Sequence, residues 1–284
     1  MADRALRISA LTWVVIALVC ASPTSSAQEP AGRAAVEAWG GTKSQWNGFD
    51  RYDFECAGRP AIVVAPKAPA AGRPWLWRGE FFGGFANVDQ ALLAKGWHVA
   101  YLDCRDTFGH PDSMERWAVF HDLLTGRHGL SEKPVLLGMS RGGLYCYNWA
   151  ATHPDKVGLI YGDAPVCDVK SWPAGKGKGT GNPGEWARFL KVYGMTEAQA
   201  LAWTGNPIDN LAPLAEAKIP IIHVVGDKDD GVPMDENTTV LKERYEKLGG
   251  HVELIVKPGV GHHPHSLADP TPIVDYILKH RLKD

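Results

Sequence analysis

The first residues in this chain that could do chemistry are a serine and its neighbours. Gly138-Met139-Ser140-Arg141-Gly142 places a hydroxyl between two glycines, the arrangement of a tight turn in which bulkier neighbours would collide with adjoining backbone. A serine hydroxyl is a weak nucleophile near neutral pH, so it needs a base to take its proton and an acid to orient that base. Downstream, Gly226-Asp227-Lys228-Asp229-Asp230-Gly231-Val232-Pro233 offers Asp229, and Gly259-Val260-Gly261-His262-His263-Pro264-His265 offers His262. Together the three would perform acyl transfer to serine followed by hydrolysis. Asp163, after the apolar run 157–161, is the rival acid. Asp227 and Asp230 read as loop residues, and His263 and His265 as supporting or substrate-contacting groups.

Surrounding elements must bring these groups together. Ser140 follows the apolar strand pattern Val135–Met139 and precedes a helical pattern over 141–153. Further strand patterns fall at 75–80, 98–103, 157–161, 221–225 and 252–257, with helical patterns at 87–95, 112–125, 235–248 and 272–282. Continuous apolar strands alternating with helices predict a mostly parallel sheet covered on both faces. The strand-like stretches 46–56 and 61–65 predict its antiparallel edge. Asp229 and His262 also follow strands, which puts both at the same sheet edge as Ser140. Residues 166–211 break the rhythm. A Gly/Lys/Pro-rich stretch at 171–184 leads into helical patterns at 185–193 and 196–203, and we expect a cap over the site.

With these residues in view, the chain resembles the α/β-hydrolases across nearly all of its length beyond the leader. The order Ser140, Asp229, His262 is that family's order, G-x-x-D-x-x-V-P resembles its acid loop, and G-x-G-H resembles its histidine loop. The resemblance implies a three-layer α/β-hydrolase fold with a cap insertion. It also implies an oxyanion hole built from the backbone N–H of Arg141 and a donor after strand 75–77, among Arg78, Gly79, Glu80 and Phe81. The form G-x-S-R-x-G resembles the elbow of glucuronoyl esterases and of some secreted bacterial pectin methylesterases, which implies that Arg141 lies at the ester; alternatively, Arg141 pairs with Glu80 or Asp163. Indoles stack on sugar faces, so Trp77 on the oxyanion loop and Trp172, Trp186 and Trp203 in the cap are candidate platforms, whereas Trp97, Trp117 and Trp149 read as core. Lys176 and Lys178 are candidates for a uronate carboxylate.

Composition sets the limits. The chain has 284 residues, 45% hydrophobic and 22% charged, with 31 Gly, 20 Pro and 11 Trp, enough for a sizeable core and unlike a disordered or fibrous chain. A net charge of -2 argues against a general nucleic-acid binder. Arg4 and Arg7 ahead of an apolar run, then Ser25-Ser26-Ala27, read as a signal peptide over 1–27, cleaved after Ala27. A flexible leader over 28–45 and a hydrolase domain over 46–284 follow, in a secreted or periplasmic protein without stable membrane association. Cys56, Cys104, Cys146 and Cys167 remain beyond the signal, with their pairing open. No cofactor or metal is called for. The expected activity is a serine carboxylic-ester hydrolase acting on a carbohydrate ester. The alternative is a prolyl-oligopeptidase-like serine peptidase, which we expect less because no propeller-sized leader precedes Trp46. A binding protein on an inactive hydrolase scaffold would lack a triad member, and all three are present.

Overall fold

The computed structural model describes Met1 and residues 38–284; the expected signal peptide and residues 28–37 of the expected leader lie outside them. Nine strands form one sheet: β1 (Thr42–Trp46), β2 (Phe49–Cys56), β3 (Arg59–Ala65), β4 (Trp75–Arg78), β5 (His98–Leu102), β6 (Val135–Met139), β7 (Leu159–Asp163), β8 (Ile221–Gly226) and β9 (Val252–Lys257). Their spatial order is β1-β2-β3-β5-β4-β6-β7-β8-β9. β1, β2 and β3 are antiparallel to their neighbours, and the six strands from β5 to β9 are mutually parallel. This is the three-layer α/β-hydrolase architecture. The first four residues of β1 fall inside the stretch expected to be a leader: its sequence TKSQW is exposed at four of five positions, so it carries no apolar signal, and it is held by the Asn47-Gly48 turn back into β2.

β4 shows how the strands feed the two faces. Trp75 and Trp77 enter one layer, where Trp77 stacks on Trp117 at 4.1 Å and on Trp75 at 5.1 Å, while Leu76 enters the other with Val135, Leu137 and Ile222. Helices α1 (Asn87–Ala94) and α8 (Thr271–His280) cover the Leu76 face; α2 (Pro111–Asp122) and α3 (Gly142–Thr152) cover the other. Each indole buried this way contributes on the order of 4–6 kcal/mol of apolar transfer.

The excursion after β7 carries α4 (Pro183–Tyr193) and α5 (Glu197–Ala202), followed by α6 (Ala212–Glu216) before β8; α7 (Thr238–Lys247) precedes β9. α4 begins where the Asn182 side chain accepts from the Glu185 N–H with Pro183 at the first turn, and stops at Gly194 in a left-handed conformation (φ 62°). α5 opens with a reciprocal capping box between Thr196 and Gln199. Trp186, Phe189 and Trp203 form one aromatic group with Tyr193, and Phe189 reaches Phe108. Much of the excursion is therefore an extension of the core. Among the described residues no helix is long and apolar enough to cross a membrane. Cys56, Cys104, Cys146 and Cys167 are buried free thiols.

Candidate active site

Every parallel strand delivers its loop to one edge, and the loops after β6, β8 and β9 meet there. Ser140 sits at the β6–α3 turn with φ 49°, a left-handed backbone that a side-chain-bearing residue adopts only under constraint. Two hydrogen bonds impose it: Ser140 N–H donates to the Asp163 carbonyl at 2.8 Å, and Val166 N–H donates to the Ser140 carbonyl at 2.9 Å. Space imposes it too. A Cβ on Gly138 would lie 2.9 Å from the Gly143 Cα, and one on Gly143 would lie 2.8 Å from the Pro165 Cβ and the Val166 carbonyl oxygen.

The half-buried Ser140 Oγ stands 2.9 Å from His262 Nε2, and His262 Nδ1 stands 2.7 Å from Asp229 Oδ2. Asp229 is fixed by its own loop: its Oδ1 accepts from Gly231 N–H at 3.0 Å and Val232 N–H at 2.7 Å, leaving Oδ2 for the imidazole. The acid side chain is 1% exposed and the histidine 19%, so the relay opens to solvent only at its base and nucleophile.

Asp163, the rival acid, serves a different histidine. It is fully buried; His265 Nδ1 lies 3.0 Å from Oδ1, while Oδ2 accepts from Tyr161 O–H and Ser266 N–H, each at 2.6 Å. Burial, followed by the nearby Asp163 charge, pushes the Tyr161 phenol far up, so it remains an O–H donor. Asp163 thus anchors the loop that carries His262. Behind it, His223 is buried between Tyr147 O–H (2.7 Å) and Thr238 Oγ1 (2.9 Å), and burial lowers its pKa to about 3.

The loop after β4 lies against the elbow because neither side has a side chain at the contact. A Cβ on Gly79 would sit 2.7 Å from the Gly142 carbonyl oxygen, and one on Gly142 would sit 3.3 Å from the Glu80 nitrogen. Several expected substrate contacts are instead structural. Trp77 is fully buried in the indole stack on the far side of β4, so it offers no sugar platform. Arg78 is fully buried and pairs with Asp89 at 2.9 Å, donating also to the Phe81 and Gly84 carbonyls; it shapes the loop from beneath. Of the two readings of Arg141, the pairing with Glu80 is the one found. The arginine Nε and Nη2 form a two-point pair with Glu80 at 2.7 Å each, Nη1 meets Glu185 of α4 at 2.6 Å, and Nη2 lies 3.1 Å from Asp106. Trp172 is half-buried against the core, 6.4 Å from Phe108. Lys176 pairs with Glu197 and Lys178 with Asp235, so both candidate uronate cations are engaged. His263 remains at the rim, exposed.

Sequence reading missed three groups here. Glu185 and Asp106 complete the Arg141 cluster, yet one comes from the first turn of α4 and the other from the loop after β5, and nothing in their local spacing pairs them with Arg141. Phe85, 43% exposed, stacks on His263 at 6.0 Å; its position in the Gly-rich stretch after β4 was the available signal. A 460 Å³ cavity lined by Glu80, Phe81, Tyr101, Arg105 and Arg141 adjoins the elbow. A larger one of 670 Å³, between α2, α3 and the α4–α5 region, includes none of the three relay residues.

Known proteins share this arrangement of elements. The fold is similar to Porphyromonas gingivalis dipeptidyl peptidase 4 (TM-score 0.62, 14% identity, 83% of this chain and 36% of that one). It is also similar to a puromycin-hydrolyzing peptidase of Mycobacterium tuberculosis (0.62, 15%, 81% and 39%) and to Pyrococcus horikoshii acylaminoacyl peptidase (0.57, 16%, 75% and 37%). The chain thus spans little more than a third of the length of these structures. No curated protein matches it in sequence. The three structures named are peptidases, and at 14–16% identity the likeness shows the fold. A family model matches residues 102–282, from β5 to beyond α8 and including the serine, aspartate and histidine just described, and by that match the chain belongs to the prolyl oligopeptidase family of serine hydrolases.

Proposed function

We propose that this protein is a serine peptidase that cleaves amide bonds in short peptides or acylated amino acids through an acyl-enzyme on Ser140. The observation that carries the reading is the unbroken Ser140–His262–Asp229 relay at 2.9 and 2.7 Å. His262 Nε2 takes the proton as Ser140 Oγ attacks the carbonyl carbon, then gives it to the departing amine; water repeats the sequence to free the acid. Asp229 orients the ring and stabilises the imidazolium. The Arg141 N–H, directly after the nucleophile, and an N–H of the Glu80 and Phe81 loop are the donors assigned to the oxyanion. Family membership and the peptidases among the structural relatives support amide over sugar-ester substrates. The internal ion pairs of Arg141, Lys176 and Lys178 support it further, because they leave the expected uronate contacts already neutralised.

The deciding experiment is a substrate panel of peptide and aminoacyl nitroanilides beside methyl-esterified pectin, glucuronoyl esters and acetylated xylan. Amide turnover abolished by Ser140→Ala is expected. Turnover confined to the sugar esters would overturn the peptidase reading and restore the carbohydrate one.

A further inference from the structure

The histidine loop holds more imidazole than an acyl-transfer relay needs. His262, His263 and His265 come within four positions of sequence, and one ligand atom from each lies within 4.8 Å of the other two. Their ring centroids are 4.8 to 5.1 Å apart. Two of the rings are already set as metal ligands usually are: His262 Nδ1 is held by Asp229 and His265 Nδ1 by Asp163, which fixes each ring and directs Nε2 away from the carboxylate. The third ring, His263, is exposed and free to adjust, so an ion has a route in from solvent. Two buried carboxylates stand behind the cluster, and the Lys257 ammonium is tied to the Pro264 and Ser266 carbonyls.

We propose that His262, His263 and His265 bind a zinc-class divalent ion, and that this ion switches hydrolysis off. Three imidazoles suit Zn²⁺, whose Zn–N distances of about 2.0–2.1 Å require ligand nitrogens about 3.4 Å apart in a tetrahedron. Reaching that spacing from 4.8 Å takes a closure of about 1.4 Å, to which the exposed His263 ring can contribute by rotating. Inhibition follows from one shared electron pair. The His262 Nε2 lone pair that must accept the Ser140 proton is the pair that would bind the ion, so ligation and general-base catalysis exclude each other. Water fills the fourth position. No bond to substrate is made or broken and no redox change occurs.

The test is calorimetric titration of the full chain with Zn²⁺, run beside hydrolysis of p-nitrophenyl acetate. The expected result is one saturable site, inhibition with a matching constant, full recovery on adding EDTA, and a tetrahedral visible spectrum when Co²⁺ replaces Zn²⁺. Loss of an outer-sphere partner costs roughly 10–100-fold in metal affinity, so His263→Ala, which removes a ligand from an exposed position, should weaken both constants at least tenfold. His265→Gln should do the same and guards against a folding effect of either change. Absence of a saturable site in the unmodified protein overturns the proposal. So do constants unchanged in both variants, which would place the zinc on the buried thiols or elsewhere. The proposal uses the relay geometry but not the peptide substrate: calorimetry and the Co²⁺ spectrum read it even if the peptidase assignment fails.

Discussion

Two aspartate–histidine pairs lie side by side at the carboxyl edge of the sheet, Asp229 with His262 and Asp163 with His265, and only one of them faces a nucleophile. Both histidines ride on the loop after β9, both present Nδ1 to a buried carboxylate, and the distances are alike at 2.7 and 3.0 Å. The carboxylates differ in what else they hold. Asp229 takes two N–H donors from its own loop and gives its remaining oxygen to His262; Asp163 binds a phenol, a distant backbone N–H and His265 together, which ties β7 to the histidine loop. The histidines differ in exposure, 19% against 3%, and in the reach of Nε2, which meets Ser140 only from His262. A carboxylate–imidazole pair therefore becomes a relay through the position of its far nitrogen, and otherwise it is a clamp.

The comparison breaks most directly at the serine. Ser140→Ala should reduce kcat by about a million-fold, as loss of the nucleophile does in comparable triads, with a thermal midpoint close to that of the parent. Retained hydrolysis would mean that the His262 pair is as structural as its neighbour. Next comes the carboxylate exchange. Asp229→Asn should lower kcat about 10⁴-fold by presenting the wrong tautomer of His262, while leaving the fold intact. Asp163→Asn should show the inverse: less than about tenfold in kcat per folded molecule, but roughly 1–3 kcal/mol less stable by urea denaturation, because at least one buried donor loses its acceptor. A larger catalytic loss in Asp163→Asn than in Asp229→Asn would exchange the roles of the two pairs.

What could be read in advance follows the same division. The parallel strands β4 to β8 were visible because strands buried on both faces are continuous apolar runs, and Ser140, Asp229 and His262 were visible because each follows a strand and sits in a glycine-bearing loop motif. β1 was hidden by its polar, exposed residues, and β7 lies two residues later than its apolar run indicated, which turns Asp163 from a loop residue into the strand's last. Trp77 and Arg78 misled for a physical reason. They are adjacent on one strand and so point to opposite faces, and both faces are covered there, one by an indole stack and the other by the loop that Arg78 holds. For Arg141 the pairing with Glu80 was one of the readings open in advance, but a guanidinium's chemistry depends on every carboxylate that reaches it, and Asp106 and Glu185 come from a loop and a helix far apart in sequence. Motifs confined to one loop can be read locally, whereas clusters assembled from several loops emerge only with the fold.

A third imidazole at this edge sharpens the contrast and gives the smallest effect. His223 has a phenol and a hydroxyl as partners where His262 and His265 have carboxylates, so nothing bonded to it compensates a positive charge, and burial lowers its pKa to about 3. The unfolded chain regains an ordinary histidine pKa near 6.5. Between about pH 6.5 and 3 the unfolded state therefore binds the proton and the native state does not, so the stability this histidine supplies is complete above 6.5 and is lost as the pH falls towards 3. His98, also lowered to about 3 by burial and then by the Arg73 charge, acts in the same direction. Each group contributes a slope of at most about 1.4 kcal/mol per pH unit. His223→Gln, which can still bond Tyr147 and Thr238, should flatten the acid limb of the stability–pH curve by up to that amount and leave the curve above pH 7 parallel to the parent's. An unchanged acid slope would mean that His223 takes up its proton in the native state, and that a phenol and a hydroxyl hold an imidazolium here as well as a carboxylate does.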